Sequence, residues 1–201
     1  EPTAQIICDL KYGTGEASKI APRQVLINII ELLKEENLKA IVAPELEFYL
    51  CEQNLDPDLP LKTPVGKSGR RETGSRVFGI DAVNEFDALT DDIYDYCELM
   101  KIGVDTLVHE SGPSQIEINL NHGDPLALAD QAFMFKRAVR QVALKHGIHA
   151  TFMAKPYQGQ PGSSMHIHQN LVSTKTNKNL FSDQEGNNSK EFLNYIGCLL
   201  Y

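Results

Sequence analysis

Between Gln115 and Asn121 polar and apolar residues alternate without a break: Gln115, Glu117, Asn119 and Asn121 against Ile116, Ile118 and Leu120. Successive side chains of an extended strand point to opposite faces, so such a run folds with one face in a core and the other left polar. Ala40 to Leu50 reads as a second strand of the same kind, with Glu45, Glu47 and Tyr49 on one face and Leu46, Phe48 and Leu50 on the other. Strands patterned this way suit an antiparallel sheet whose apolar face is covered by helices. The expected class is therefore α+β, a largely antiparallel sheet with helices on one face.

The helices are legible by the same periodicity argument. Pro22 to Asn37 places Val25, Leu26, Ile29, Ile30 and Leu33 on one face, with Pro22 in the first turn where its missing N–H is harmless. Thr90 or Asp87 is expected to cap a helix carrying Leu89, Ile93, Tyr96, Cys97 and Met100. Asp124 caps and Pro125 starts a third helix, which ends at His146-Gly147, and Ser189 opens a fourth. Further strands are expected at Ala4 to Leu10, Thr106 to Glu110, His149 to Lys155 and Ser163 to Val172. From Cys51 to Ser75 prolines and glycines forbid regular structure, and a loop that long in a compact domain tends to be functional.

Composition narrows the partners. Nineteen basic against 27 acidic residues leave a formal net charge of −8, which disfavours nucleic acid and anionic membrane surfaces. Cys8, Cys51, Cys97 and Cys198 stand far apart without a Cys-x-x-Cys spacing, so neither a zinc ribbon nor a disulfide framework is suggested, and a cytoplasmic setting is expected. No apolar run is long enough to span a bilayer. The 201 residues can build one ordinary core, yet the chain starts almost at once in a strand-like run and stops inside an apolar helix pattern, as a piece of something longer would.

Three segments carry the chemistry: Glu45-x-Glu47, Glu110 with Glu117 across a Gly-Pro turn, and His166-x-His168. Residues i and i+2 of a strand lie about 6.5 Å apart on one face, close enough to serve two adjacent cations. Carboxylates with one or two imidazoles and no thiolate favour Mg²⁺ or Mn²⁺ over structural zinc. Taken singly, each residue has a plainer reading as a solvated face or a satisfied histidine pair; convergence of several strands is what favours a site. Gln115, Asn119 and Asn121 read as ordinary polar-face residues, or at best as partners of ligands. Gly13-Thr-Gly15 and Gly66-Lys67-Ser68 look like phosphate loops but lack the required glycines and read as surface turns.

Ala43-Pro-Glu-Leu-Glu-Phe-Tyr-Leu50, His109-Glu-Ser-Gly-Pro-Ser-Gln-Ile-Glu117 and Lys155-Pro-Tyr-Gln-Gly-Gln-Pro-Gly-Ser-Ser-Met-His-Ile-His168, in that order, resemble the catalytic domain of the glutamine synthetase family. Ile80-Asp-Ala-Val-Asn-Glu-Phe-Asp-Ala-Leu and Asp124-Pro-Leu-Ala-Leu-Ala-Asp-Gln look most like its γ-glutamylputrescine, or γ-glutamylpolyamine, synthetase branch. The resemblance covers nearly the whole chain, residues 1–201. It spans only the front half of the family's catalytic domain, with residues 1–10 at most the end of the preceding β-grasp domain.

The resemblance implies ATP-dependent ligation of glutamate to an amine: putrescine, another polyamine or, alternatively, ammonia. It implies that Glu47, Glu110 and Glu117 hold one metal while Glu45 and His166 hold a second, with no separate catalytic side chain. His168 and Asp105 would lie by the nucleotide, and Gly162 would lend backbone to the glutamate pocket. It further implies a homo-oligomer, often twelve subunits in stacked rings. Three positions depart from the family pattern: Pro161 replaces a common Asn, Asn170 a common Ser and Phe78 a common Tyr. The family's remaining elements fall beyond Tyr201, so the isolated chain is expected to be inactive. A noncatalytic relative is the alternative reading, and a His-x-His hydrolase is disfavoured because carboxylates dominate.

Overall fold

The computed structural model describes residues 4–200; Glu1 to Thr3 and Tyr201, the ends of the span read from the sequence, lie outside the described residues. The chain forms two compact units, one of Ala43–Asn121 with Gln131–Ile167 and the other of Glu1–Val42, His122–Asp130 and His168–Tyr201.

β1 (Leu38–Glu52), β2 (Val104–His109), β3 (Gln115–Leu120) and β4 (Ile148–Thr151) lie in the order β2-β3-β1-β4, every neighbouring pair antiparallel, and β5 (Met165–Ser173) also pairs with β1. The first of the two units holds β2, β3, β4 and residues 43–52 of β1, while β5 has only residues 165–167 in it. Leu46 stands opposite Ile118 and Phe48 opposite Ile116, and all four are buried. The core is completed by Leu89, Ile93 and Cys97 of α3 (Asp87–Leu99) and by Phe135, Val139 and Val142 of α4 (Pro125–Lys145). Each such side chain contributes about 1.5–3 kcal/mol through burial. The apolar half of the alternation therefore fixes which face of the sheet remains for polar groups.

The second unit contains α1 (Pro22–Glu35) and α5 (Lys190–Leu199). Pro22 opens α1 without a side-chain cap, and Arg23 grips both oxygens of Asp130 at 3.0 Å while also pairing with Asp9. Ser189 caps α5 by accepting the Phe192 N–H at 3.0 Å, and Phe181 packs against Phe192 and Tyr195.

Several boundaries differ from the sequence expectation. Residues 4–10 form no strand, because among the described residues no neighbouring strand pairs with them, and Ile6 and Leu10 are exposed. In α1 only Leu26, Ile30 and Leu33 of the expected face are half-buried while Val25 and Ile29 are exposed, a narrower stripe at i, i+4, i+7. Neither Asp87 nor Thr90 caps α3: Phe86 is the cap residue. The Thr90 hydroxyl donates instead to the Asp87 carbonyl within the first turn. A short α2 (Ile80–Asn84) precedes it. β4 stops at Thr151 because Phe152 turns in against Phe48 and Phe135. Residues 53–79 form no helix or strand, as expected of the long loop.

Candidate metal centre

The antiparallel register sets the acids side by side. Glu47 stands opposite Glu117, with Glu45 opposite Asn119 and Tyr49 opposite Gln115, so the three polar positions of β1 meet those of β3 on the face left outside the core. From the other flank His166 of β5 turns its Nδ1 to within 3.2 Å of Glu45 Oε2 and 3.9 Å of Glu47 Oε1. One ligand atom each from Glu45, Glu117 and His166 lies within 4.8 Å of the others, the spacing of a group able to share a cation.

The neighbouring groups sort these acids. Glu47 is nearly buried, 7% exposed; its Oε2 accepts from Gln115 Nε2 and the Ser164 N–H, both at 3.1 Å, and its Oε1 accepts from the Ser164 hydroxyl. Gln115 is wholly buried and also donates to the Gly162 carbonyl at 2.9 Å and to Ser163 Oγ at 3.2 Å. One amide thus joins the β1 carboxylate to the Gly162 loop. Tyr49 fastens the same loop, its hydroxyl donating to the Pro161 carbonyl at 2.8 Å; burial first, then Glu47 and Glu110, push that phenol up to about 12. Gly162 approaches so closely that a Cβ there would lie 2.8 Å from the Ala154 carbonyl oxygen.

Glu117 is 9% exposed. Burial, then Glu45, hold its carboxyl above the usual carboxylate range, with further pressure from Glu110 and Glu47 and partial relief from Asn119. Glu110 follows β2, its N–H donating to the Gln115 carbonyl at 2.8 Å and its Oε2 accepting from Ser111 N–H at 3.2 Å. Among the described residues Glu47, Glu110 and Glu117 form no ion pair with lysine or arginine. Acids crowded together and partly desolvated, with no lysine or arginine paired to Glu47, Glu110 or Glu117 among the described residues, fit a divalent cation, and their oxygen-rich donor set suits Mg²⁺ or Mn²⁺.

The other expected residues are not in the Glu45–Glu117–His166 group. Asp105 is exposed on β2, beside Tyr94 and outside the carboxylate group. His168 is exposed and belongs to the second compact unit. Phe78 is 75% exposed with φ +58, a backbone region that a bulky side chain seldom adopts, and its N–H donates to the His109 carbonyl. Periodicity did not single out Ser164, which holds Glu47, or Glu72, whose carboxylate reaches buried His109 at 2.9 Å. A signal for Glu72 did exist: it is the only acid between Asp58 and Asp81 in a stretch carrying Lys62, Lys67, Arg70, Arg71 and Arg76.

Residues 19–201 match the family described as the glutamine synthetase catalytic domain. The chain is 40% identical over 187 residues to gamma-glutamylputrescine synthetase PuuA of Escherichia coli strain K12, covering 92% of this chain and 39% of that protein. It is 35% identical over 189 residues to glutamine synthetase of Pyrococcus abyssi, covering 94% and 40% respectively. The solved structure of apo GmaS superposes with a TM-score of 0.74 at 25% identity, over 89% of this chain and 40% of that one. The chain thus spans about two fifths of the length of these relatives. With an antiparallel β2-β3-β1-β4 sheet, its acid-lined face and a family match running over most of its length, the chain belongs to the glutamine synthetase catalytic-domain family.

Proposed function

We propose that this chain is the front part of the catalytic domain of an ATP-dependent glutamate–amine ligase, with putrescine or a related polyamine as the acceptor. The observation that carries the reading is the gathering of Glu45, Glu117 and His166 beside Glu47, with Glu110 near enough to press on the Glu117 carboxyl. Glu47, Glu110 and Glu117 are assigned to one divalent cation and Glu45 with His166 to a second. Bound there, Mg²⁺ or Mn²⁺ would neutralise charge on the transferring phosphoryl group, which asks for positioning and electrostatic support more than for covalent help.

The chain's own residues supply the positioning. Gln115 and Ser164 lock Glu47 in one orientation, and Tyr49 with Gln115 holds the loop bearing Gly162 against the sheet. That loop is assigned to glutamate, with Pro161 denying it one side-chain hydrogen bond; His168 and Asp105 are assigned to the nucleotide. Glutamate's γ-carboxylate takes the terminal phosphoryl group, and the amine then displaces phosphate to form the amide. Phe78 offers the incoming amine an apolar face, which suits the methylene chain of a polyamine better than ammonia. The 40% identity to a γ-glutamylputrescine synthetase and a net charge of −8 favour a cationic acceptor. We further propose a homo-oligomeric ring working in the cytoplasm; no helix among the described residues is long and apolar enough to cross a membrane.

The test is ADP release by the intact protein with glutamate and Mg²⁺, comparing putrescine, longer polyamines and ammonium. Amine-dependent release is expected with putrescine or a longer polyamine, and Glu117→Ala should abolish it. No release with any amine defeats the ligase reading, and a preference for ammonium moves the protein to glutamine synthesis.

A further inference from the structure

We infer that Glu72, reaching in from the long loop, is a positioning residue that braces the cation-binding carboxylates from behind. This rests on the metal-centre reading above. Glu72 is 10% exposed and the His109 it faces 1% exposed. One oxygen, Oε2, meets His109 Nε2 at 2.9 Å and accepts the Ser114 N–H at 2.6 Å. The other, Oε1, is buried without a hydrogen-bond partner. A carboxylate buried and half-satisfied needs a role that offsets its desolvation.

Each bond leads to a ligand. On one side, His109 Nδ1 lies 2.8 Å from the Glu110 carbonyl. A carbonyl can only accept, so Nδ1 donates and the Glu110 peptide is pinned to an imidazole that Glu72 holds in turn. On the other side, Ser114 is fully buried with φ +60, a left-handed conformation that persists only where its surroundings impose it. The Glu72 bond to its N–H helps to hold it, alongside the Gln115 N–H donating to the Gly112 carbonyl at 3.1 Å and the Leu50 N–H donating to the Ser114 carbonyl at 2.9 Å. The next residue, Gln115, then places its amide on Glu47. A single loop carboxylate thereby fixes both Glu110 and, through Gln115, Glu47. Groups that orient metal ligands in this way typically change metal affinity about 10- to 100-fold when removed.

The experiment measures Mn²⁺ binding to the intact protein by electron paramagnetic resonance, at a temperature where circular dichroism shows every variant folded. Glu72→Ala should weaken Mn²⁺ binding by about tenfold or more. Glu72→Asp keeps the charge but shortens the reach, and should weaken it as well. Glu72→Gln keeps length but cannot serve His109 Nε2 and the Ser114 N–H from one atom as the carboxylate does, and should weaken binding as well. Should Glu72→Ala fail to fold, the Asp and Gln pair still decides. Wild-type affinity in Glu72→Asp overturns the brace, and so does wild-type affinity in Glu72→Gln, since the contacts to His109 and Ser114 would then do nothing for the ligands. Absence of Mn²⁺ binding by the wild type overturns the metal-centre reading and the brace with it.

Discussion

Gly112→Ala probes the packing that holds the acid-bearing turn. Gly112 lies between Glu110 and Gln115, and its N–H donates to Gln115 Oε1 at 2.9 Å. A Cβ at this position would fall 1.9 Å from Tyr49 Oη, 2.5 Å from its Cζ and 2.6 Å from its Cε1. Carbon atoms pack comfortably at about 3.5–4.0 Å, so the ring or the turn would have to give by roughly an ångström or more. Tyr49 has nowhere to go: it is 0% exposed, edge-on to Tyr157 at 5.0 Å and tied to the Pro161 carbonyl. Overpacking of this kind costs about 1–3 kcal/mol, and breaking the Tyr49–Pro161 bond adds about 1 kcal/mol. Some 2–4 kcal/mol in a domain of this size lowers the melting temperature by about 5–15 °C. Scanning calorimetry of the metal-free protein measures it, with Gly74→Ala as the reference because a Cβ there meets nothing within 4 Å. A Gly112→Ala melting temperature within about 2 °C of Gly74→Ala would refute the reasoning, since a shift of that size is worth only about 1 kcal/mol.

Two further outcomes follow from burial. Glu117 is held above the ordinary carboxyl value of 4.5 in the folded chain, so the folded protein binds more protons than the unfolded one between 4.5 and its raised value, and stability falls as pH rises through that window. Glu117→Gln should therefore melt higher than wild type at pH 7 without metal, with the advantage fading below pH 4.5; thermal melts across pH that show no such convergence would contradict the assignment. Cys51 and Cys97 are buried and their thiols pushed up to about 11 by that burial, whereas Cys8 and Cys198 are exposed. A thiol reagent at pH 8 should label Cys8 and Cys198 quickly and the other two only on unfolding, as peptide mapping would show.

The alternation at Gln115 to Asn121 made the sheet and its polar face legible, because period-two burial leaves a strand no other register. Pairing Glu47 with Glu117 was within reach once both strands were identified; the division of labour among the acids was not. Glu45 and Glu47 are equivalent by periodicity, yet hydrogen bonds from Gln115 and Ser164 tie Glu47 down, while Glu45 joins Glu117 and His166 in the tightest group. That difference comes from groups on a loop and a neighbouring strand, which no local pattern encodes. Glu72 stands out in the sequence only as the one acid of a basic stretch; its contacts are not legible there, since its partners His109 and Ser114 lie 37 and 42 residues away. Like charges gathered on one face repel, and neutral donors can hold some of them in place. The amide of Gln115 and the Ser164 N–H do this for Glu47, whereas burial and Glu45 still hold the Glu117 carboxyl above its usual range, so cations bound on this face would relieve the repulsion that remains there.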